Sequence, residues 1–311
     1  MPAGSGVITS DSIRSFFRGR IFENEPLAPY TSMKVGGPAS LYLEPQDRDD
    51  LVAVIRHFRE QHFPFLMIGR GSNMIISDEG FPGAAINLES GFSDVSLVDG
   101  DVVAEAGARL TKLVDFCVQH SLQGLEWAAG IPGSVGGAVV MNAGAHGSEM
   151  KNHIVEVEAL RGTSIATVKT EDAGFGYRTS GFTQDIVLSA RFRLSRGDRE
   201  DILRRKSEMM ARRNATQPLN MPNSGSMFIN PSGTHAAHLI EQAGLKGKRI
   251  GDAQISEKHA NFMVNLGSAK AADILKLIDL IRRTVYQNTG VLLELEVKLI
   301  GFSEEARASL S

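Results

Sequence analysis

Residues 128–149, AAGIPGSVGGAVVMNAGAHGSE, hold glycine at 130, 133, 136, 137, 144 and 147 in a segment that otherwise contains mostly small and apolar side chains. A helix or strand built from such a stretch loses about 1 kcal/mol for each interior glycine relative to alanine. The density points to a loop in which bare backbone is itself the working surface. A second cluster, GRGSN at residues 69–73, repeats the theme. Two readings compete. Isolated glycines are usually surface turns, whereas a dense pair of loops can turn backbone N–H groups toward a phosphate. In the longer loop, Ser134 is placed to cap a helix beginning at Val135, which would aim free first-turn amides and the positive end of the helix dipole at one point. Neither loop has the lysine of a P-loop, and neither matches G-x-G-x-x-G at a strand-to-helix turn. The pattern favours a dinucleotide gripped by backbone, outside the commonest nucleotide folds.

A chain of 311 residues exceeds one ordinary core, so more than one domain is expected. With 42% hydrophobic and 22% charged residues, the composition is that of a globular protein and excludes a disordered or fibrous one. A formal net charge of -3 gives no electrostatic drive toward a nucleic-acid backbone, and no such partner is expected. Cys117 sits in LTKLVDFCVQH among apolar residues at helical spacing and reads as a small buried side chain. The first twenty residues lack an apolar core of signal-peptide length, and no apolar run approaches a membrane span. A cytoplasmic, monomeric chain without membrane association is expected. His235 and His238 could share a helix, but no third ligand accompanies them and no metal is expected.

LYLEP reads as a strand and DRDDLVAVIRHFREQH as a helix whose Leu51, Val54, Ile55 and Phe58 share one face behind an acidic first turn. FPFLMIG then reads as a buried strand running into GRGSN, and a loop at the carboxyl end of such a strand is a favoured ligand position. AAINL predicts another strand, and VSLVDGDVVAE predicts a hairpin turning at Asp99-Gly100. HIVEVEALRGTSIATV reads as a second hairpin and DIVLSARFRLS as a strand. DREDILRRKSEMMARRN is a charged amphipathic helix, and a boundary is placed near residue 200. The last third reads helix (HAAHLIEQAG), strand (ANFMVNL), helix (ADILKLIDLIRRTVYQN) and strand (VLLELEVKLIG), with a short frayed tail after Gly301.

Six motifs occur in one order: GRGSNMIISDEGFPGAAINL, GIPGSVGGAVVMNAGAHGSE, YRTSGF, NSGSMFINP, KHANFMVN and LLELEVKLIG. In order and spacing they resemble the UDP-N-acetylenolpyruvoylglucosamine reductase family, over nearly the whole chain from TSMKVGGPAS onward. The resemblance implies an α+β fold: a FAD-binding domain of the vanillyl-alcohol-oxidase/PCMH type in two α+β subdomains, plus a C-terminal α+β substrate-binding domain. It implies an N-terminal extension over 1–20, FAD-binding subdomains over 21–88 and 89–199, a substrate-binding domain over 200–296, and a tail, 297–311, returning to the first subdomain. Non-covalent FAD is the implied cofactor and NADPH the co-substrate. The implied substrate is UDP-N-acetylenolpyruvoylglucosamine, reduced to UDP-N-acetylmuramate in peptidoglycan synthesis. Around FAD the resemblance places Gly69, Arg70, Gly71, Ser72 and Asn73 of the first loop. From the second it places Gly130, Ile131, Pro132, Gly133, Ser134, Gly136, Gly137, Ala138, Asn142, Ala143 and Gly144.

The same resemblance assigns the chemistry. NADPH reduces the flavin and leaves; the enolpyruvyl substrate then takes hydride on its methylene carbon, so that negative charge develops beside its carboxylate. Arg178 of YRTSGF is implied to hold the carboxylate with its fixed fork, Ser226 of NSGSMFINP to deliver the proton, and Glu296 of LLELEVKL to act protonated beside the intermediate. Without the resemblance, Arg178 reads as a solvated arginine, Ser226 as a turn or capping serine, and Glu296 as part of a solvated strand face. Alternation of Leu293, Leu295 and Val297 with Glu294, Glu296 and Lys298 cannot choose between the glutamates. The family's glutamate directly precedes valine, which is Glu296 here. Asn230 matches a substrate-contacting asparagine, Ile229 stands where many members have lysine, and His146 where tyrosine is frequent. The interval from Arg178 to Ser226 is too short for the tyrosine-bearing module that some members insert, so the form lacking it is expected. Two other functions stay open: a flavin oxidase or dehydrogenase of the broader fold, and a non-catalytic nucleotide-binding module.

Overall fold

The helix Arg48–Glu60 begins where its own acidic side chains dictate. Asp47 is its N-cap, accepting the Asp50 N–H at 3.0 Å, and Asp49 and Asp50 add negative charge to the first turn. Leu51, Val54, Ile55 and Phe58 are buried along one face, as their spacing requires. Asp50 is also buried, and its oxygens accept the N–H groups of Arg18 and Gly19 at 2.8 and 2.7 Å. Those bonds seat the preceding segment, whose Ile13 and Phe17 enter the core. The computed structural model describes residues 8–308. The expected extension is therefore packed from Ile8 onward, and residues 1–7 lie outside the described structure.

The strand after this helix, Phe65–Met67, is not the neighbour of the strand before it, Pro38–Glu44. The sheet order is Arg20–Pro26, Pro38–Glu44, Phe81–Ile86, Phe65–Met67, the last two parallel. A five-stranded sheet follows in the order Ser164–Lys169, Ile154–Arg161, Ile186–Phe192, Asp101–Glu105, Val95–Val98. Both expected hairpins are in it, and Asp99 and Gly100 turn the 95–105 hairpin at φ +53° and +86°, the left-handed pair a two-residue turn needs.

Helix Leu110–Gln119 buries Leu113, Val114 and Cys117. Burial, followed by the nearby Glu126 charge, pushes the Cys117 thiol up to about 12. At pH 8 only ~10⁻⁴ of such thiols are ionised, so the native protein should resist alkylation that the denatured protein undergoes. Rapid labelling of Cys117 in the native state, followed by mass spectrometry, would contradict this placement.

The chain divides into two compact units. The first takes the chain up to Asn24, Ser40–Gly69 and Gly83–Arg212; the second takes Glu25–Ala39, Arg70–Pro82 and the chain from Arg213. This differs from the boundaries read in the sequence. One core cluster joins Leu41, Leu51 and Phe58 to Val102, Val157 and Phe192, so the stretches 21–88 and 89–199 do not form separate cores. Segments 25–39 and 70–82 fold with the C-terminal residues through apolar and polar contacts together: Met33, Val35 and Ile75 are buried in one core with Ile274, Leu277 and Ile281. Asp78 accepts the Ala271 and Ala272 N–H groups at 2.9 and 3.0 Å, anchoring the start of helix Ala271–Thr289, and Asn265 Nδ2 donates to Met33 O at 3.0 Å. The C-terminal segment, expected to return to the first subdomain, forms strand Lys298–Ile300, parallel to Met74–Ile76 of its own unit. The boundary expected near 200 moves to Arg212, inside helix Arg199–Thr216.

The second unit is built on an antiparallel sheet ordered Asn223–Ser226, Phe262–Asn265, Ala253–Ile255, Arg249–Ile250. Ile274, Leu277, Ile278, Ile281 and Val285 of the long helix are buried, and Gly290 ends it at φ +72°, the left-handed cap that glycine favours. After Gly301 the chain forms a short helix, Glu304–Ala308, where a frayed tail was expected. Among the described residues no helix is long and apolar enough to cross a membrane.

Candidate active site

In the first unit Ser134 caps helix Val135–Val140 as its position predicts, its Oγ accepting the Gly137 N–H at 3.3 Å. The free first-turn amides expected beyond it are not free. Val135 N–H donates to Ala108 O and Gly136 N–H to Ala106 O, each at 2.8 Å. A Cβ on Gly136 would stand 2.9 Å from Ala106 Cβ, so this glycine allows a close approach of the helix to the turn after strand Asp101–Glu105. The open donors lie just before the helix. Among the described residues the N–H groups of Gly69, Gly133 and Ser134 have no hydrogen-bond acceptor. The two glycine loops meet at this point, because a Cβ on Gly69 would collide with Ser134 Oγ. Open amides beside a glycine where an added Cβ would collide with Ser134 fit the pyrophosphate of a flavin dinucleotide.

Gly144–Ala145 and Ser148–Glu149 pair as a hairpin around His146 and Gly147, at φ +53° and +81°. The hairpin lies within the glycine-rich stretch expected as loop, and the His146-Gly147 pair between short segments is its turn signal. Asn142, placed at the cofactor by sequence, is fully buried at φ +41° with its side chain committed to protein. Its Nδ2 donates to Glu149 Oε2 and Gly176 O, both at 2.9 Å, and its Oδ1 accepts the Lys151 N–H at 3.0 Å. A contact to the cofactor from Asn142 is left to its main chain.

Arg178 lies in the turn closed by Gly176 N–H to Thr179 O at 3.0 Å. It takes φ +57°, an uncommon conformation for a residue with a Cβ. Its Nη2 donates to Gly144 O at 3.1 Å and its guanidinium carbon lies 4.9 Å from the Tyr177 ring centroid. The fork is therefore held against the glycine loop rather than extended into solvent.

The division between units falls inside GRGSN, after Gly69. In the second unit Gly71 adopts φ +55° against Tyr30 and Thr31, and its carbonyl accepts the Ser32 N–H at 3.2 Å. Asn73 reaches toward the C-terminal strand: its Nδ2 donates to Glu296 O at 3.1 Å, and its carbonyl accepts the Lys298 N–H at 3.0 Å. Two neighbours hold the chain running from Ser226. On one side Asn261, a buried residue overlooked in the sequence, accepts from Phe228 N at 3.0 Å and donates to Phe228 O at 2.8 Å. An asparagine inside the apolar run KHANFMVN was the signal. On the other side Glu296 N–H donates to Met227 O, and Ile229 N–H to Glu294 O, each at 2.9 Å.

The run VLLELEVKLIG was expected to be one strand, yet only Lys298–Ile300 is strand, with Leu295 bridging Phe228 in isolation. The partner edge is too short for the ladder that alternation suggests. Burial separates the two glutamates that alternation could not: Glu294 is exposed and Glu296 half-buried. Ser226 and Glu296 thus sit on adjoining main chains within one unit, and Arg178 belongs to the other unit. Asn230 is exposed, and its Oδ1 accepts the Ala236 N–H at 3.1 Å at the start of helix Ala236–Gln242, leaving Nδ2 for a ligand.

Residues 39–168 match the model of a FAD binding domain, and residues 217–300 match that of the C-terminal domain of UDP-N-acetylenolpyruvoylglucosamine reductase. Together they define a flavin-dependent oxidoreductase. The chain is 45% identical over 291 residues to the UDP-N-acetylenolpyruvoylglucosamine reductase of Heliobacterium modesticaldum, spanning 92% of this chain and 93% of that one. It is 44% identical over 307 residues to that of Chloroherpeton thalassium, spanning 96% and 99%. The crystal structure of UDP-N-acetylenolpyruvylglucosamine reductase from Thermus caldophilus matches with a TM-score of 0.79 at 37% identity, covering 92% of this chain and 100% of that one. The chain belongs to the UDP-N-acetylenolpyruvoylglucosamine reductase family.

Proposed function

We propose that this chain reduces UDP-N-acetylglucosamine enolpyruvate to UDP-N-acetylmuramate with electrons from NADPH, and that Arg178, Ser226 and Glu296 carry the reaction. The observation that carries the assignment is the pairing of the chains bearing Ser226 and Glu296, fixed by the 2.9 Å bond from Glu296 N–H to Met227 O. Bound FAD would supply hydride transfer between NADPH and the enolpyruvyl methylene carbon. The open amides of Gly69, Gly133 and Ser134 would hold its pyrophosphate.

Hydride addition leaves negative charge on the carbon that bears the carboxylate, and the chain's own residues answer it. Arg178 grips the carboxylate with two parallel N–H groups. Ser226 donates its hydroxyl proton to the carbon. A serine is a weak acid, so it can serve only a strongly basic acceptor such as this carbanion. Glu296 donates a hydrogen bond to the charge as it forms. Asn230 Nδ2 is a further donor for the substrate. Both reactants are small nucleotides, which supports action in the cytoplasm.

The purified protein should show flavin absorbance that NADPH bleaches anaerobically and the enolpyruvyl substrate restores. Initial-rate lines at varied NADPH should be parallel, as expected when two reactants use one site in turn. Denatured protein should have the mass of the bare chain, because the flavin is non-covalent. A protein that binds flavin but is not bleached by NADPH would overturn the proposal in favour of a non-catalytic module.

A further inference from the structure

We infer that Asn142 is a positioning residue for Arg178, acting through the Gly176 carbonyl. The inference rests on the assignment of Arg178 as the carboxylate-binding group. Arg178 occupies a left-handed position in a turn closed by Gly176 N–H to Thr179 O at 3.0 Å and Thr179 N–H to Gly176 O at 3.4 Å. A residue with a Cβ relaxes from such a conformation unless its surroundings hold it. Three bonds from residues 140–149 do so. Ser180 Oγ donates to Val140 O at 2.8 Å, Arg178 Nη2 donates to Gly144 O at 3.1 Å, and Asn142 Nδ2 donates to Gly176 O at 2.9 Å.

The chemistry at 142 admits one side chain. The amide nitrogen faces two acceptors, Glu149 Oε2 and Gly176 O, while the amide oxygen faces one donor, Lys151 N–H. Only that orientation satisfies all three, so the amide cannot be flipped. Glu149 is fixed in turn by Lys151 Nζ at 2.7 Å. Asn142 is fully buried, so no water replaces a lost bond without cost. Asparagine also tolerates its own φ of +41° better than most residues. The side chain therefore ties the hairpin Gly144–Glu149 to the turn that presents the arginine fork.

The test uses flavin-loaded enzyme and separates the two half-reactions. In Asn142→Asp an oxygen replaces the donor facing Glu149 and Gly176. Flavin should be retained and its reduction by NADPH should stay near the wild-type rate. Reoxidation by the enolpyruvyl substrate should slow by up to roughly 10²-fold, the cost of misplacing a binding group by about an ångström. In an Arg178→Ala background the same change should add less than about twofold, because it acts through the missing fork. The pair Asn142→Asp with Glu149→Gln re-forms the 142–149 bond with donor and acceptor exchanged, so thermal stability should recover while reoxidation stays slow.

Three results would overturn the inference. Flavin loss from Asn142→Asp would mean a direct hold on the cofactor. Equal losses in the presence and absence of Arg178 would mean an independent effect. Full recovery of reoxidation in the double variant would assign the effect to Glu149 alone. Wild-type reoxidation by Arg178→Ala itself would instead remove the assignment of Arg178, and the inference with it.

Discussion

Ser226→Ala should leave flavin reduction by NADPH close to wild type and slow reoxidation by the enolpyruvyl substrate roughly 10²–10⁴-fold, the range for loss of a positioned proton donor. The structure makes this a clean substitution. Among the described residues the Ser226 hydroxyl makes no hydrogen bond, so alanine breaks none. The chain beyond it stays anchored by Asn261 on Phe228 and by Glu296 on Met227. Cysteine at 226 retains a proton to give and should restore part of the rate. Single-turnover reoxidation of prereduced enzyme, followed by flavin absorbance, measures the step directly. Wild-type reoxidation by Ser226→Ala would remove Ser226 as the donor and leave Glu296 or an ordered water in its place.

Local order in this chain was legible because it is encoded locally. Asp47 and the apolar face from Leu51 to Phe58 announce a helix, and Asp99-Gly100 announces a turn. What escaped were ties between distant residues that leave no periodic trace. Asp78 anchors a helix at Ala271, Asn265 holds Met33, and Met33, Val35 and Ile75 pack in one core with Ile274 and Leu277; none of these ties can be guessed from spacing, yet together they place 25–39 and 70–82 in the C-terminal unit.

The site shows the same limit. Ser134 reads correctly as a cap, but sequence does not reveal that Ala106 and Ala108 already take the amides beyond it. Asn142 reads as a loop asparagine near a cofactor, and only coordinates show its amide committed on both sides. Arg178, Ser226 and Glu296 were nominated by resemblance alone. For Glu296 the structure adds a physical distinction, since it is half-buried and tied to Asn73 and Met227 while Glu294 is exposed.

Gly71→Val should weaken flavin binding at least tenfold and also lower the unfolding temperature of the flavin-free protein. Two costs coincide at this position. Gly71 sits at φ +55°, where a β-branched side chain is strained by about 1–3 kcal/mol. Its new Cβ would lie 2.6 Å from both Tyr30 O and Thr31 Cα, which are backbone atoms. Thr31 cannot easily give way, being buried with its Oγ1 bonded to Ala28 O at 3.1 Å and Val35 O at 3.0 Å. The loop must move instead, carrying Asn73 away from Glu296 and Lys298. Gly147 provides the control. It too has a positive φ, +81°, but nothing stands within 4 Å of an added Cβ, so Gly147→Ala should cost only about 1 kcal/mol and keep its flavin. Thermal melts with and without FAD, beside a fluorescence titration of FAD, distinguish the causes. If flavin-free Gly71→Val melts with the wild type and only flavin affinity falls, the valine collides with the cofactor, and the packing of Gly71 on Tyr30 and Thr31 is not what requires glycine there.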